Sequence, residues 1–198
     1  MTAGLPLDAN ATEPLRPEAR AAVLAALDLP GNPSSVHAEG RAARRVLEDA
    51  RAAIAARFAA RAQDVVFTAG GTEANALAIR GLSTGRRILA GATEHPAVLR
   101  AAADAAMLPV LPDGTIDLAA LDTALAEGRP ALVCLMAANN ETGVLHPIEA
   151  AAELCRRHAA LLHVDAVQAA GRVKLPPGAD SLALSAHKMG GPKGAGAL

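Results

Sequence analysis

The stretch Ser181-Leu-Ala-Leu-Ser-Ala-His-Lys188-Met-Gly-Gly-Pro-Lys-Gly-Ala-Gly-Ala-Leu198 joins a short apolar run to a Gly/Pro-rich turn. A run of that length suits a buried strand, which would deliver Ser185, His187 and Lys188 to its C-terminal end. Open α/β sheets bind ligands at the carboxyl ends of their strands, so this stretch implies both an architecture and a place for chemistry. Lys188 admits two readings at this point. A lone lysine beside Gly190, Gly191 and Pro192 is ordinarily a solvated turn residue. The alternative is a desolvated amine with enough free base to attack a carbonyl carbon and form a Schiff base with an aldehyde cofactor.

Upstream, short apolar segments alternate with helical ones. Strands are expected over residues 65–68, 87–90, 108–111, 132–136, 161–165 and 182–185, with helices over 73–80, 96–106, 117–127 and 148–158 between them. Asp117 is a natural N-cap for the third of these helices. Nearer the N-terminus, residues 8–14 are polar and proline-terminated and read as an extended segment leading into a helix over 17–27. Pro30-Gly-Asn-Pro-Ser-Ser35 makes a turn, and a long helix over 36–58 follows. Its sparse apolar stripe is Val46, Leu47, Ile54 and Phe58, while Arg41, Arg44, Arg45 and Arg51 read as a solvated face rather than a phosphate site. The alternation points to an α/β fold, a mostly parallel sheet flanked by helices. Residues 1–16 would be an extended segment and residues 17–198 one domain, with no tandem repeat and no disordered tract.

A chain of 198 residues is long enough to bury a sizeable core. Its 19 basic and 20 acidic side chains leave a net charge of −1, and with two Phe, no Trp and no Tyr it offers nucleic acid neither a basic field nor a stacking platform. Much of the 52% apolar content is alanine, which favours helix but contributes little burial per residue. Cys134 and Cys155 are the only cysteines and do not form a secreted disulfide framework, so a reducing cytoplasm is expected. Met1-Thr-Ala-Gly-Leu-Pro-Leu-Asp8 lacks the basic and apolar regions of a secretory signal, and no apolar run approaches membrane-spanning length. A soluble protein without a membrane or nucleic-acid partner is the expectation.

In a parallel sheet the strands end on one edge, so the polar residues that follow them should converge. After Phe67 comes Thr68-Ala-Gly-Gly71-Thr72-Glu73, a glycine turn opening a helix. Its free N–H groups and the Thr72 hydroxyl suit a phosphate, although ordinary helix entry explains the pattern at least as well. After Leu89 comes Gly91-Ala-Thr-Glu-His95-Pro96, where His95 can cap a helix or stack on a flat ring and move protons. After Met136 comes Asn139-Asn-Glu-Thr-Gly143, whose amides can bind a ligand or simply make the turn. After Leu162-His-Val164 comes Asp165, with Gln168 three residues on. A carboxylate ending a buried strand needs a hydrogen-bonding or cationic partner, which a helix cap and a pyridinium nitrogen both supply.

Together the strand ends carry a phosphate cradle, a flat-ring stacker, an amide, a carboxylate and a candidate Schiff-base lysine. That set matches the binding needs of pyridoxal 5′-phosphate, in which a carboxylate keeps the ring nitrogen protonated so that the ring can stabilise a carbanion. Ordered matches run through nearly the whole chain: Leu7-Asp-Ala-Asn-Ala-Thr12, Gly31-Asn-Pro-Ser-Ser35 with His37, Phe67-Thr-Ala-Gly-Gly-Thr-Glu73, Thr93-Glu-His95, Asn139-Asn-Glu-Thr-Gly143, His163-Val-Asp-Ala-Val-Gln168, and Ser185-Ala-His-Lys188 with Gly191-Pro-Lys-Gly194. Through them the sequence resembles the cysteine desulfurases of the class V aminotransferase group, which are fold-type I pyridoxal-phosphate enzymes.

The resemblance implies roles for particular residues. Lys188 would carry the Schiff base, and Asp165 would pair with the pyridine nitrogen. His95 would stack on the ring and help move protons, while Asn140 and Gln168 would contact the ring face or its phenolic oxygen. Gly71, Thr72, Ser185 and His187 would hold the phosphate. No metal is implied, and a site built from Cys155, His158 and His163 lacks a fourth ligand. The implied reaction takes L-cysteine to L-alanine and passes sulfur to an enzyme cysteine as a persulfide. It would run in a cytoplasmic homodimer that serves iron–sulfur cluster biosynthesis and hands sulfur to an acceptor protein. A selenocysteine lyase or another class V relative would share the same cofactor residues.

In that family a smaller domain follows the lysine motif and brings the persulfide-forming cysteine and an arginine for the substrate carboxylate. Cys134 falls in an expected buried strand and Cys155 in an expected helix, so both read as structural. The chain is therefore expected to be a truncated large domain without the C-terminal small domain, either inactive by itself or a non-catalytic remnant. Gly194-Ala-Gly-Ala-Leu198 is expected to begin a strand that enters the sheet between others.

Overall fold

The apolar run Ala131–Met136 is buried along its whole length, as a strand covered on both faces requires. In the computed structural model, which describes residues 7–198, this strand lies inside a seven-stranded sheet. The elements in chain order are α1 (Pro17–Leu27), α2 (Ala38–Arg57), β1 (Phe67–Thr68), α3 (Gly71–Leu82), β2 (Arg87–Gly91), α4 (Pro96–Ala101), β3 (Ala106–Leu108), α5 (Leu118–Leu125), β4 (Ala131–Met136), α6 (Ile148–Arg157), β5 (Leu161–Asp165), β6 (Ser181–Ser185) and β7 (Gly196–Ala197). Short 3-10 turns at Ala62–Asp64 and Ala186–Lys188 complete the set.

The strand order is β1-β7-β6-β5-β4-β2-β3. β3, β2, β4, β5 and β6 run parallel, and β7 is antiparallel to both of its neighbours, β6 and β1. The mostly parallel α/β sheet expected from sequence is therefore present, and β7 enters it between two other strands as expected. One reversed strand leaves β1 pointing the same way as the parallel set, so six strands end on the edge that carries Thr68, Gly91, Leu108, Met136, Asp165 and Ser185.

Strand parity decides which face each side chain joins. Leu132 and Cys134 of β4 pack with Ile79, Ala90 and Val98 under α3 and α4. Val133 and Leu135 of the same strand pack with Leu121, Leu125, Ile148 and Cys155 under α5 and α6. In β5 and β6 the even positions Leu162, Val164, Leu182 and Leu184 join the α5/α6 face. Their odd positions, His163, Asp165, Ser181 and Ser185, are polar and lie on the α3 side, where Asn75 and Gly71 meet them.

The structure corrects four details of the sequence reading. The third strand pairs over Ala106–Leu108 rather than 108–111, because Pro109 to Leu111 turn away to pair with Thr115 to Asp117, through the Val110–Ile116 bridge and the Leu111 N–H to the Thr115 carbonyl. The preceding helix stops correspondingly early, at Ala101. In α2 only Ile54 and Phe58 of the expected stripe pack against the core, whereas Val46 and Leu47 remain 45% and 37% exposed. The helix meets the body only through its C-terminal half. Arg51 also leaves the expected solvated face: its guanidinium lies 4.9 Å from the Phe67 ring centroid and donates to the Val65 carbonyl. Among the described residues no helix is long and apolar enough to cross a membrane.

Candidate active site

Two glycines shape the turn that presents Lys188. Gly190 has φ +80°, and a Cβ there would come within 2.5 Å of Arg16, while a Cβ on Gly191 would come within 2.7 Å of the Ala186 side chain. Their absence of side chains lets the chain fold back after the 3-10 turn, with the Met189 and Gly191 N–H groups both donating to the Ala186 carbonyl. Lys188 is half-buried, and its Nζ donates to the Asn10 carbonyl at 2.5 Å. Burial lowers its pKa first and the nearby Arg172 charge second, against the pull of Asp8 and Asp165. The turn thus holds this lysine partly buried at the wall of a cavity.

Asp165 ends β5 with 7% exposure. Its Oδ1 accepts the Val167 N–H at 3.0 Å, and its Oδ2 accepts from the Asn75 amide at 2.7 Å. Burial pushes its pKa up, while these two donors and the His95 and Lys188 charges pull it back. The helix-cap and ligand readings of Asp165 are compatible, because each of its oxygens keeps further acceptor capacity.

The β1–α3 turn forms an anion cradle. Gly70 (φ +155°) offers no side-chain cap to α3, so the first-turn N–H groups stay free at the positive end of a 12-residue helix. A Cβ on Gly71 would lie 2.5 Å from Val167 and 3.6 Å from Ser185, so only glycine passes between them. The Glu73 carboxylate, which would repel an anion, is engaged by the Ala69 N–H at 2.6 Å. Beside this turn stand the hydroxyls of Thr72 and Ser185, with the imidazole of His187 making a 3.2 Å contact to Thr12 Oγ1. Burial and the charges of Lys188 and Lys193 hold His187 below its ordinary pKa.

His95 caps α4 through Nδ1, which accepts the Ala97 N–H at 3.1 Å, and its ring also faces the cavity. The asparagine pair divides its work. Asn139 is buried and builds the turn, accepting from the Glu141 and Thr142 N–H groups at 2.9 and 3.0 Å, whereas Asn140 lines the cavity. Gln168 lines it too, donating to the Asn10 carbonyl at 2.9 Å. Gly71, Thr72, His95, Asn140, Asp165, Gln168, Ser185, His187 and Lys188 all border one cavity of about 1030 Å³.

Sequence reasoning passed over several neighbours. Asp8, Asn10 and Thr12, which fall in the family match Leu7–Thr12 but were given no role, line the cavity wall, and Arg172 fastens that segment through Ala9, Asn10 and Glu13. Composition and periodicity give them no role, since their partners lie more than a hundred residues away. Asn75 was findable, because it follows Gly71 by one helical turn and so shares its face. Glu94 is 5% exposed; Oε1 accepts the Met136 N–H at 2.6 Å and Oε2 has no partner. Burial holds its pKa well above the ordinary carboxylate value, and the Asp165 charge adds to that.

The aminotransferase class-V family model matches residues 6–198. The chain belongs to the class V aminotransferase family. Within that family it is 46% identical over 209 residues to a cysteine desulfurase of Cereibacter sphaeroides, covering 97% of this chain and 54% of the relative. It is 40% identical over 212 residues to an IscS-like cysteine desulfurase of Mycobacterium tuberculosis, again covering 97% of this chain and 54% of the relative. The class V chain thus spans about half the length of the curated relatives it matches. Among solved structures it superposes on a NifS-like protein from Rickettsia africae with TM-score 0.89 at 33% identity, covering 97% of this chain and 56% of that one. It superposes equally, with TM-score 0.89 at 30% identity, on SspA in complex with cysteine, covering 96% and 59%. The class V sheet described above is the fold-type I large-domain arrangement that the sequence resemblance implied.

Proposed function

We propose that this chain binds pyridoxal 5′-phosphate and is the cofactor-binding part of a cysteine desulfurase. The observation that carries the reading is the bordering of one cavity by a half-buried lysine, a buried carboxylate and an uncapped helix N-terminus. The donor set fits the cofactor at each of its ends. Free α3 N–H groups with the Thr72 and Ser185 hydroxyls suit a phosphate dianion, and Asp165 suits a cationic ring nitrogen. The cavity is also large enough to admit an amino acid beside the ring.

Bound there, the cofactor supplies an electron sink that weakens the bonds around a substrate's α carbon. The chain's residues do the rest. Lys188, its pKa lowered by burial, would hold the aldehyde carbon and move protons on Nζ. Asp165 would keep the ring nitrogen protonated, His95 would present a flat face and a proton-transferring nitrogen, and the amides of Asn140 and Gln168 would orient ring substituents.

Cysteine is the proposed substrate because the relatives are cysteine desulfurases and one similar structure holds cysteine. Neither cysteine of this chain suits the sulfur-accepting role. Both are buried free thiols, and burial pushes each pKa up, Cys155 to about 12. The accepting thiol therefore comes from outside these 198 residues. The reading extends to a cytoplasmic homodimer that delivers sulfur to an acceptor protein.

Titrating the chain with pyridoxal 5′-phosphate tests this directly. A visible absorption band should grow with the wild-type chain, respond to added cysteine, and be lost in Lys188→Ala. A band that survives in Lys188→Ala would refute the assignment.

A further inference from the structure

Behind Asp165 runs a line of polar side chains, Asn75, His163 and Ser181, of which only Asn75 borders the cavity. The parallel register of β5 and β6 sets Ser181 beside His163, and the Ser181 hydroxyl stands 2.8 Å from His163 Nδ1. His163 is fully buried, and its Nε2 lies 2.8 Å from Asn75 Oδ1. Asn75, 1% exposed on α3, spans the two same-face residues of β5 and donates from Nδ2 to Asp165 Oδ2 at 2.7 Å. Three elements thus meet in one unbranched chain.

The direction of the chain follows from valence. Asn75 spends its N–H on Asp165 and turns its oxygen to His163, so His163 Nε2 must carry the proton. His163 Nδ1 is then an acceptor, and the Ser181 hydroxyl donates to it. Every proton points toward Asp165. The reverse arrangement turns the Asn75 oxygen to Asp165 and satisfies it only when Asp165 is protonated, with the opposite histidine tautomer. The reverse polarity therefore requires a protonated Asp165, whereas the observed polarity presents a donor to the carboxylate, and a half-reversed chain would leave a buried group unpaired.

We propose that Asn75 and His163 are positioning residues that, with Ser181, form a one-way donor chain holding Asp165 as a carboxylate aimed at a cationic ring nitrogen. This rests on the pyridoxal 5′-phosphate reading above and adds to it residues that act through Asp165. His163 can serve because burial holds its pKa down to about 4, keeping it a neutral donor–acceptor over the working range. Three other titratable groups act on Asp165: His95 and Lys188 favour its charge, and Glu94 disfavours charge next to its own.

The test loads the full chain with pyridoxal 5′-phosphate isotope-labelled at the ring nitrogen. The visible band reports the cofactor Kd, and the nitrogen resonance reports ring protonation across pH. Asn75→Leu should weaken Kd about tenfold or more and lower the pH at which the ring nitrogen loses its proton by about one unit. His163→Leu should move both readouts the same way. His163→Gln, whose amide can donate to Asn75 and accept from Ser181, should restore most of the wild-type profile. Ser181→Ala sits at a partly exposed position and guards against core variants that fail to fold; it should give a smaller shift of the same sign. An unchanged ring-nitrogen profile in Ser181→Ala and in whichever of the leucine variants folds would overturn the proposal. A wild-type chain that never develops the Lys188-dependent band would instead overturn the reading on which it rests.

Discussion

Glu94 shows what a single buried acid does in this sheet. Its raised pKa means that the folded chain keeps the proton while the unfolded chain releases it near the ordinary value of 4.5. Stability contributed by this group is therefore full below that pH and is lost as pH rises toward the folded-state pKa. Glu94→Gln keeps an oxygen for the Met136 N–H and removes the titration. Its urea midpoint should exceed that of the wild type at neutral and alkaline pH, with the difference vanishing near 4.5. Parallel pH profiles for the two proteins would contradict this account. Residues of this kind were invisible in the sequence, because what matters about Glu94 is the β4 amide it meets. Lys188, His95 and Asp165 stood out because each lies at or within four residues of the end of an apolar strand, where a polar side chain has no helical or strand periodicity to explain it.

At the scale of elements, local signals succeeded where they end a segment and failed where they describe its contacts. Asp117 was recognised as an N-cap, and its Oδ1 accepts the Ala119 and Ala120 N–H groups at 2.9 and 3.0 Å. Asp117→Ala should cost about 1 kcal/mol, read as a lower denaturant midpoint at unchanged slope. Cofactor affinity should not move, since α5 covers the face of the sheet opposite α3. The α2 stripe is the counterexample. Val46 and Leu47 have the spacing of core residues, yet the helix extends past the body before they reach it. A periodic pattern reports which face is apolar, and only the tertiary structure reports whether anything covers it.

Over the whole molecule, the cavity closes because two distant ends of the chain are tied together. Glu13 and Arg16 donate their N–H groups to the His187 and Gly190 carbonyls, each at 2.9 Å. Arg172 then forks across the join, reaching the Ala9 carbonyl at 2.9 Å and the Glu13 carboxylate and Lys188 carbonyl at 3.0 Å. Arg172→Ala should loosen residues 8–16, raising their rate of limited proteolysis severalfold and weakening cofactor binding, while Arg172→Lys falls between. Equal proteolysis rates in all three proteins would show that the arginine is not what secures the segment.

The sequence alone determined the succession of strands and helices, the edge on which they end, and the identity of the residues exposed there. Those follow from short-range rules: apolar run length, strand parity, capping and the turn preferences of glycine. The tertiary structure alone decided what stands behind and across from them. Asn75 reaches Asp165, Asn10 reaches Lys188 and Glu94 reaches β4 only because a sheet sets distant segments side by side. A hydrogen bond depends on a few ångströms and an angle between partners, and neither is written in the spacing of residues along the chain.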